Sequence, residues 1–437
     1  MLLEFLRLRS LFEVVLTAVV LSSPLLFYFD SFNFKIFGDF TIRFSQLYVL
    51  VFILVCFTHR FGGKWIIFLR RDIVLQLYVL FLLLQIVFSS LVLSDFLPVL
   101  VFAELLPQFG ILMTLIIVLN FDCFFKIFKF TTWVWFSLIL IAVFCEYRFG
   151  VNVYHDVCFY LSDHCNIENL HFVNDNYDRQ KIGTRISGPL GVPALSGLIF
   201  GFFALLALAT KWNSKRFRIF RSAVFSISSL MVFVLLASRA ALIAFIVSVS
   251  RFNSFRVKDL VKYVLLIFNS LILCFLLDSV FDFTPIIQYF SDNRFGSVVE
   301  MLGAERLGML DAFFSKTFEW FPLGLGGDIH SVHSTFFDYD DAPAIITYFV
   351  VNSFLGGLYL SILSLVFVKI YNFRSGLLSR NSYMVIDINI RIITFVVICG
   401  FFTTYDFLWL IIFVYLIFRY AYMSANYNSP ITSYASF

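Results

Sequence analysis

The chain has 437 residues, of which 61% are hydrophobic and only 14% charged, with a net charge of +4 and a mean hydropathy of +0.92. Such a composition excludes a soluble globular protein and points to an all-α polytopic membrane protein. No nucleic-acid partner is expected.

Apolar runs of the roughly 20 residues that cross a bilayer recur along the whole chain. In order they predict about 12 (11–12) transmembrane helices, near 11–29, 44–58, 73–94, 98–120, 131–149, 188–210, 219–237, 239–256, 261–278, 343–370, 389–404 and 405–420, the last two able to form one helix. Residues 1–437 thus read as a single integral membrane domain. The first run leads into Phe27-Tyr28-Phe29 without an A-x-A-like cleavage site, so the first helix is expected to stay as an anchor.

Cytoplasmic segments hold an excess of Lys and Arg. Dense clusters at Arg60, Lys64, Arg70 and Arg71, and at Lys211, Lys215, Arg216, Arg218 and Arg221, place both termini inside. Two long outer loops follow, 150–187 and 279–342; in the second, ten acidic residues face only Arg294, Arg306 and Lys316. The 61 phenylalanines suit lipid contact and say little about mechanism. Cys158 and Cys165 in the first outer loop are candidates for a disulfide in an oxidising compartment, and the sequence does not decide it. Nearby His155, His164 and His171 match no strong ligand spacing, so no metal site is expected.

Three arginines stand out on the outer side. Arg185 lies in "GTRISGPLGVPALSG" (183–197), where Gly188, Gly191, Pro189 and Pro193 argue for irregular backbone entering the membrane; that is tolerated only where it is buried in protein or lines a cavity. An ordinary interfacial Arg at a loop-to-helix junction is the alternative. Arg239 is flanked by uncharged stretches, Ser228 to Ser238 and Ala240 to Ser250. The apolar stretch from Ala223 to Ser250 has basic clusters on both sides, so the chain must go out and come back, with Ser238-Arg239 at the apex. Arg239 there either snorkels to lipid phosphates or binds a lipid-linked phosphate through its planar fork. Arg306 lies in an expected amphipathic helix over 298–320, at the centre of an apolar arc formed by Val299, Leu302, Met309, Leu310, Phe313 and Trp320. A cation on that face needs an anion, either a neighbouring carboxylate or a substrate phosphate.

Beyond this helix, Gly324, Gly326 and Gly327 form a flexible turn rather than a phosphate loop, because no G-K-[ST] follows. His330, His333 and Asp341 come next, at the entrance to the tenth span. A histidine with a carboxylate at a membrane surface can deprotonate a sugar hydroxyl; acids at a loop end are also often simply solvated.

The segments "RISGPLGVPALSG", "LLASRAALIAF", "RLGMLDAFFSKTFEWFPLGLGG" and "NSFLGGLYL", in this order, resemble the superfamily of O-antigen polymerases and O-antigen ligases of the bacterial inner membrane. The resemblance covers roughly residues 180 to 365. It implies a GT-C-like, metal-independent glycosyltransferase of the Gram-negative inner membrane with its active site facing the periplasm. It would need no cofactor and would act on glycans carried by undecaprenyl pyrophosphate. It further implies that Arg185, Arg239 and Arg306 bind the pyrophosphate; the group that takes the acceptor proton, His333, Asp341 or His330, is read from the residues themselves and not from the resemblance. The ligase branch carries a His-Asn pair shortly before the tenth span, where this chain has Asp341-Ala342-Pro343-Ala344. The reading is therefore a polymerase of lipid-linked repeat units, working with a lipid-linked donor and acceptor and with a chain-length regulator as partner. A ligase transferring glycan to lipid A core, and a flippase or exporter of the lipid-linked unit, are the alternatives.

Overall fold

An apolar run in an apolar setting forms a helix because only that structure satisfies its own backbone amides. The structure, a computed structural model, describes residues 2–26, 33–37, 40–43, 46–58, 72–92, 97–149, 188–190, 193–209, 239–249, 344–375, 391–400 and 407–427, together with Ser229, Val232, Leu236 and Lys316. The helices are α1 (Leu2–Leu26), α2 (Leu47–Thr58), α3 (Ile73–Val92), α4 (Leu97–Val118), α5 (Phe124–Phe149), α6 (Pro193–Ala209), α7 (Arg239–Val249), α8 (Ala344–Val351), α9 (Ser353–Ser375), α10 (Arg391–Gly400) and α11 (Leu408–Tyr427). The expected span 261–278, nearly all of 219–237, and apart from Lys316 both long loops and the amphipathic helix 298–320 lie outside the described residues.

Two helical stretches among the described residues, Phe124–Tyr147 and Ser353–Ile370, are long and apolar enough to cross a membrane. Only 28% and 44% of these windows are buried within the protein. The core helix of a soluble protein hides most of its apolar surface; α5 instead turns Phe130, Leu138, Ile141, Phe144 and Phe149 outward. This surface gives the chain a membrane-associated character. The interior is formed by α4, α6 and α11, which are buried along Ile111–Leu119, Leu195–Ala207 and Phe407–Phe418. Around them α1 packs on α4 and α5, α2 on α4, α3 on α4 and α9, α5 on α6, α7 on α6, and α9 on α11.

Two departures from a plain series of spans are visible. Between α1 and α2 a short antiparallel hairpin pairs β1 (Asn33–Phe37) with β2 (Phe40–Arg43), with Asn33 opposite Arg43 and an irregularity between Lys35 and Phe37. The expected single span 343–370 is divided at Asn352 into α8 and α9. The Asn352 N–H still donates to the Tyr348 carbonyl (3.0 Å), while its Oδ1 accepts from the Phe354 N–H (2.9 Å), so one residue closes the first helix and caps the second. Gly356 makes room for the fold-back: a Cβ there would sit 2.4 Å from the Phe349 ring. The expected spans 389–404 and 405–420 are separate helices, α10 and α11.

Buried hydroxyls, amides and ring N–H groups tie these helices together. Thr17, Ser22 and Thr114 donate to the carbonyl four residues back, which satisfies each hydroxyl within its own helix. Others reach across: Trp135 Nε1 to Ser22 Oγ (2.7 Å), Tyr48 OH to the Val19 carbonyl (3.2 Å), Tyr78 OH to Gln108 Oε1 (2.9 Å) and Gln85 Nε2 to Tyr348 OH (2.7 Å).

The strongest tie is ionic. Asp72, fully buried just ahead of α3, caps that helix through the Val74 N–H (3.0 Å), accepts from Tyr415 OH (3.1 Å) and pairs with the Arg419 guanidinium, both from α11. Asp72→Asn keeps the cap and the tyrosine contact but leaves the Arg419 cation without its anion, which should cost on the order of 3 kcal/mol. Asp72→Asn combined with Arg419→Met should recover most of that loss. Melting of the detergent-solubilised protein measures both; a single variant as stable as the parent would show that the pair contributes nothing.

Candidate functional site

Arg239 is the first residue of α7, so a helix starts at this charge rather than running through it. Arg185, Arg306, His330, His333 and Asp341 lie outside the described residues, as do Cys158 and Cys165. Of the expected site, the structure therefore locates the start of α7 and the glycine-proline turn ahead of α6.

The turn is built around Gly188. Its φ of +73° lies in the left-handed region that side-chain-bearing residues rarely adopt. A Cβ at this position would also fall 2.6 Å from Ser196 Cβ and 2.8 Å from Leu236 Cδ2. Glycine is thus required twice, by conformation and by space. Ser196, fully buried in the first turn of α6, accepts from the Leu190 N–H at 3.2 Å and closes the turn onto the helix. Pro193 opens α6, the helix position where a missing N–H costs nothing.

Leu236 makes the second side of this junction. It is fully buried, and its N–H donates to the Val232 carbonyl (2.9 Å) in a helical turn three residues before Arg239. Leu236 thus lies against the turn ahead of α6, at the opposite end of that helix from Ala209, about 25 Å away at 1.5 Å per residue. The starts of α6 and α7 consequently face the same end of the bundle. Helix N-termini carry positive dipole ends, a setting that favours anions.

The third side is Glu146, near the C-terminal end of α5. It is 7% exposed, and its Oε2 accepts from the Gly188 N–H at 2.8 Å. The sequence reading passes over this residue, yet the rule that singles out Arg239 applies to it as well: "WVWFSLILIAVFCE" is an apolar run ending in one acid, and an ionisable group there faces a partner rather than lipid.

Elsewhere, a concavity between α9, α10 and α11 is bordered by Tyr359, Leu363, Val396, Gly400, Phe407 and Ile411. This apolar lining has no convergent charges to act on a phosphate or a sugar hydroxyl. Among the described residues no group of three or more His, Cys, Asp or Glu side chains is arranged to hold a metal ion, and Cys123, Cys145 and Cys399 are free thiols. No family model, curated protein or solved structure matches the chain.

The Gly188 junction can be tested against a glycine with open surroundings. Gly188→Ala should lower stability by about 2 kcal/mol, combining a left-handed penalty with overpacking. Gly357→Ala in α9, whose Cβ would meet nothing within 4 Å, should be neutral or stabilising by up to ~1 kcal/mol. Equal effects of the two substitutions on the melting temperature would contradict the packing described.

Proposed function

We propose that this protein is an O-antigen polymerase of the Gram-negative inner membrane. It transfers the growing polysaccharide from its undecaprenyl pyrophosphate carrier to the non-reducing end of a new lipid-linked repeat unit. The observation that carries the reading is the packing of the Gly188 turn against both Ser196 in the first turn of α6 and Leu236, three residues before Arg239 starts α7. The order of the four sequence segments that resemble the polymerase and ligase superfamily is its second support.

In this mechanism Arg239, with Arg185 from the same turn segment and Arg306 from the second outer loop, binds the pyrophosphate. The guanidinium groups and helix ends stabilise the charge that develops on the leaving group as the glycosidic bond forms. His333 or Asp341, or else His330, takes the proton from the acceptor hydroxyl. No metal takes part. The chain crosses the membrane about 12 times with both termini in the cytoplasm, and the site faces the periplasm.

Deletion of the protein should leave lipopolysaccharide capped by a single repeat unit. A gel with an unchanged long ladder would refute the proposal, and loss of even the single-unit cap would assign the protein to the ligase reaction instead. Arg239→Lys should abolish the ladder as fully as Arg239→Ala, because lysine lacks the planar fork. A full-length ladder with lysine would mean that charge alone suffices.

A further inference from the structure

We infer that Glu146 is the positioning residue of the pyrophosphate site, an inference that rests on the function just proposed. Its carboxylate pins the Gly188 turn by accepting the Gly188 N–H at 2.8 Å, and that turn is in contact with both α6 and the segment leading to α7. Gly188 stands three residues after Arg185, and Leu236, on which it is packed, three residues before Arg239. One hydrogen bond accepted by α5 thereby holds a turn that lies close in sequence, directly or through Leu236, to two arginines of the proposed site.

The chemistry suits an acceptor of this kind. A residue in left-handed conformation immediately before a proline has few helical partners for its N–H, and an orphaned buried N–H is costly. Glu146 supplies the acceptor from a neighbouring helix, and α5 packs on α6. An anion is also the charge that the N-terminal end of α6 favours. With its Oε2 committed to a backbone amide, Glu146 acts through the turn; it is not the group that receives the acceptor's proton.

The turn's position can be read without any assay of polymer. Pro189 is buried beside Gly188. In the full-length chain carrying Pro189→Cys, with the seven native cysteines changed to Ser, a membrane-impermeant maleimide applied to cells with a permeabilised outer membrane should label position 189 slowly. Glu146→Ala should speed labelling about tenfold by freeing the turn and should shorten the O-antigen ladder. Glu146→Gln keeps an acceptor oxygen and should restore both slow labelling and long chains, a rescue that a general loss of folding would not show. If the alanine variant does not accumulate, Glu146→Asp, which withdraws the carboxylate by one methylene, should free the turn by the same criterion. Labelling unchanged by alanine or aspartate overturns the inference and leaves the polymerase proposal standing. Freed labelling with an unchanged ladder overturns the link between turn and site. A ladder that survives deletion of the whole protein overturns the polymerase proposal, while the labelling still reports whether Glu146 holds the turn.

Discussion

The carboxylate of Asp72 is the contact on which the arrangement of the bundle most depends. Helices that are apolar on nearly every side gain little from choosing one apolar neighbour over another, so directional contacts have to select the packing. Asp72 anchors α3 to α11, and further along α3 the buried Tyr78 and Gln85 reach Gln108 of α4 and Tyr348 of α8. Tyr78 and Gln85 are seven residues apart, which places them on one face of the helix. Three polar side chains thus hold α3 against three different helices. A register slip of one residue would strand all of them in an apolar interior, where an unsatisfied polar group costs about 1–3 kcal/mol.

Close backbone approach supplies the complementary constraint. Gly110 of α4 lets the Tyr48 backbone of α2 come within 3.3 Å of its missing Cβ, and Gly201 of α6 lies under the Phe395 ring of α10, where a Cβ would meet Cζ at 2.2 Å. With α5 packed on it as well, α6 is held from several directions along its length. Its N-terminus is therefore a fixed point, and the Gly188 turn inherits that rigidity. The proposed anion site belongs in this sense to the bundle: it stands on the ends of packed helices.

Most of the helix positions were legible in the sequence, because a run of apolar residues between basic clusters has few other interpretations. The start of α7 at Arg239 was legible too, since basic residues on both flanks of the apolar stretch lead to an expected break at Ser238-Arg239. The division at Asn352 was not, because hydropathy is blind to a single polar residue that caps one helix while ending another. The strands 33–37 and 40–43 escaped notice because their alternating "NFKIF" and "FTIR" lie in a link too short to draw attention among long apolar runs. Asp72 and Glu146 were passed over because each stands at the end of an apolar run, where an acid reads as solvated. Burial separates that reading from the real one, and burial is decided by which helices arrive from elsewhere in the chain.

The same logic divides the proposed site into two parts with different physical characters. Arg239 starts a helix packed on α6, and the Gly188 turn is held by its own N–H groups, which donate to Glu146 and Ser196, so the pyrophosphate end of the proposed reaction would be set by groups whose geometry is shared with the core. Arg306, His330, His333 and Asp341 belong to the segment 279–342, which is far in sequence from this junction. Under the proposed function the carrier is the same for every repeat unit, while the acceptor sugar is what distinguishes one polymer from another. A leaving-group site built into helix packing and an acceptor site carried on a long connecting segment fit that division, because substitutions in the segment can change the acceptor without disturbing the contacts that hold the bundle.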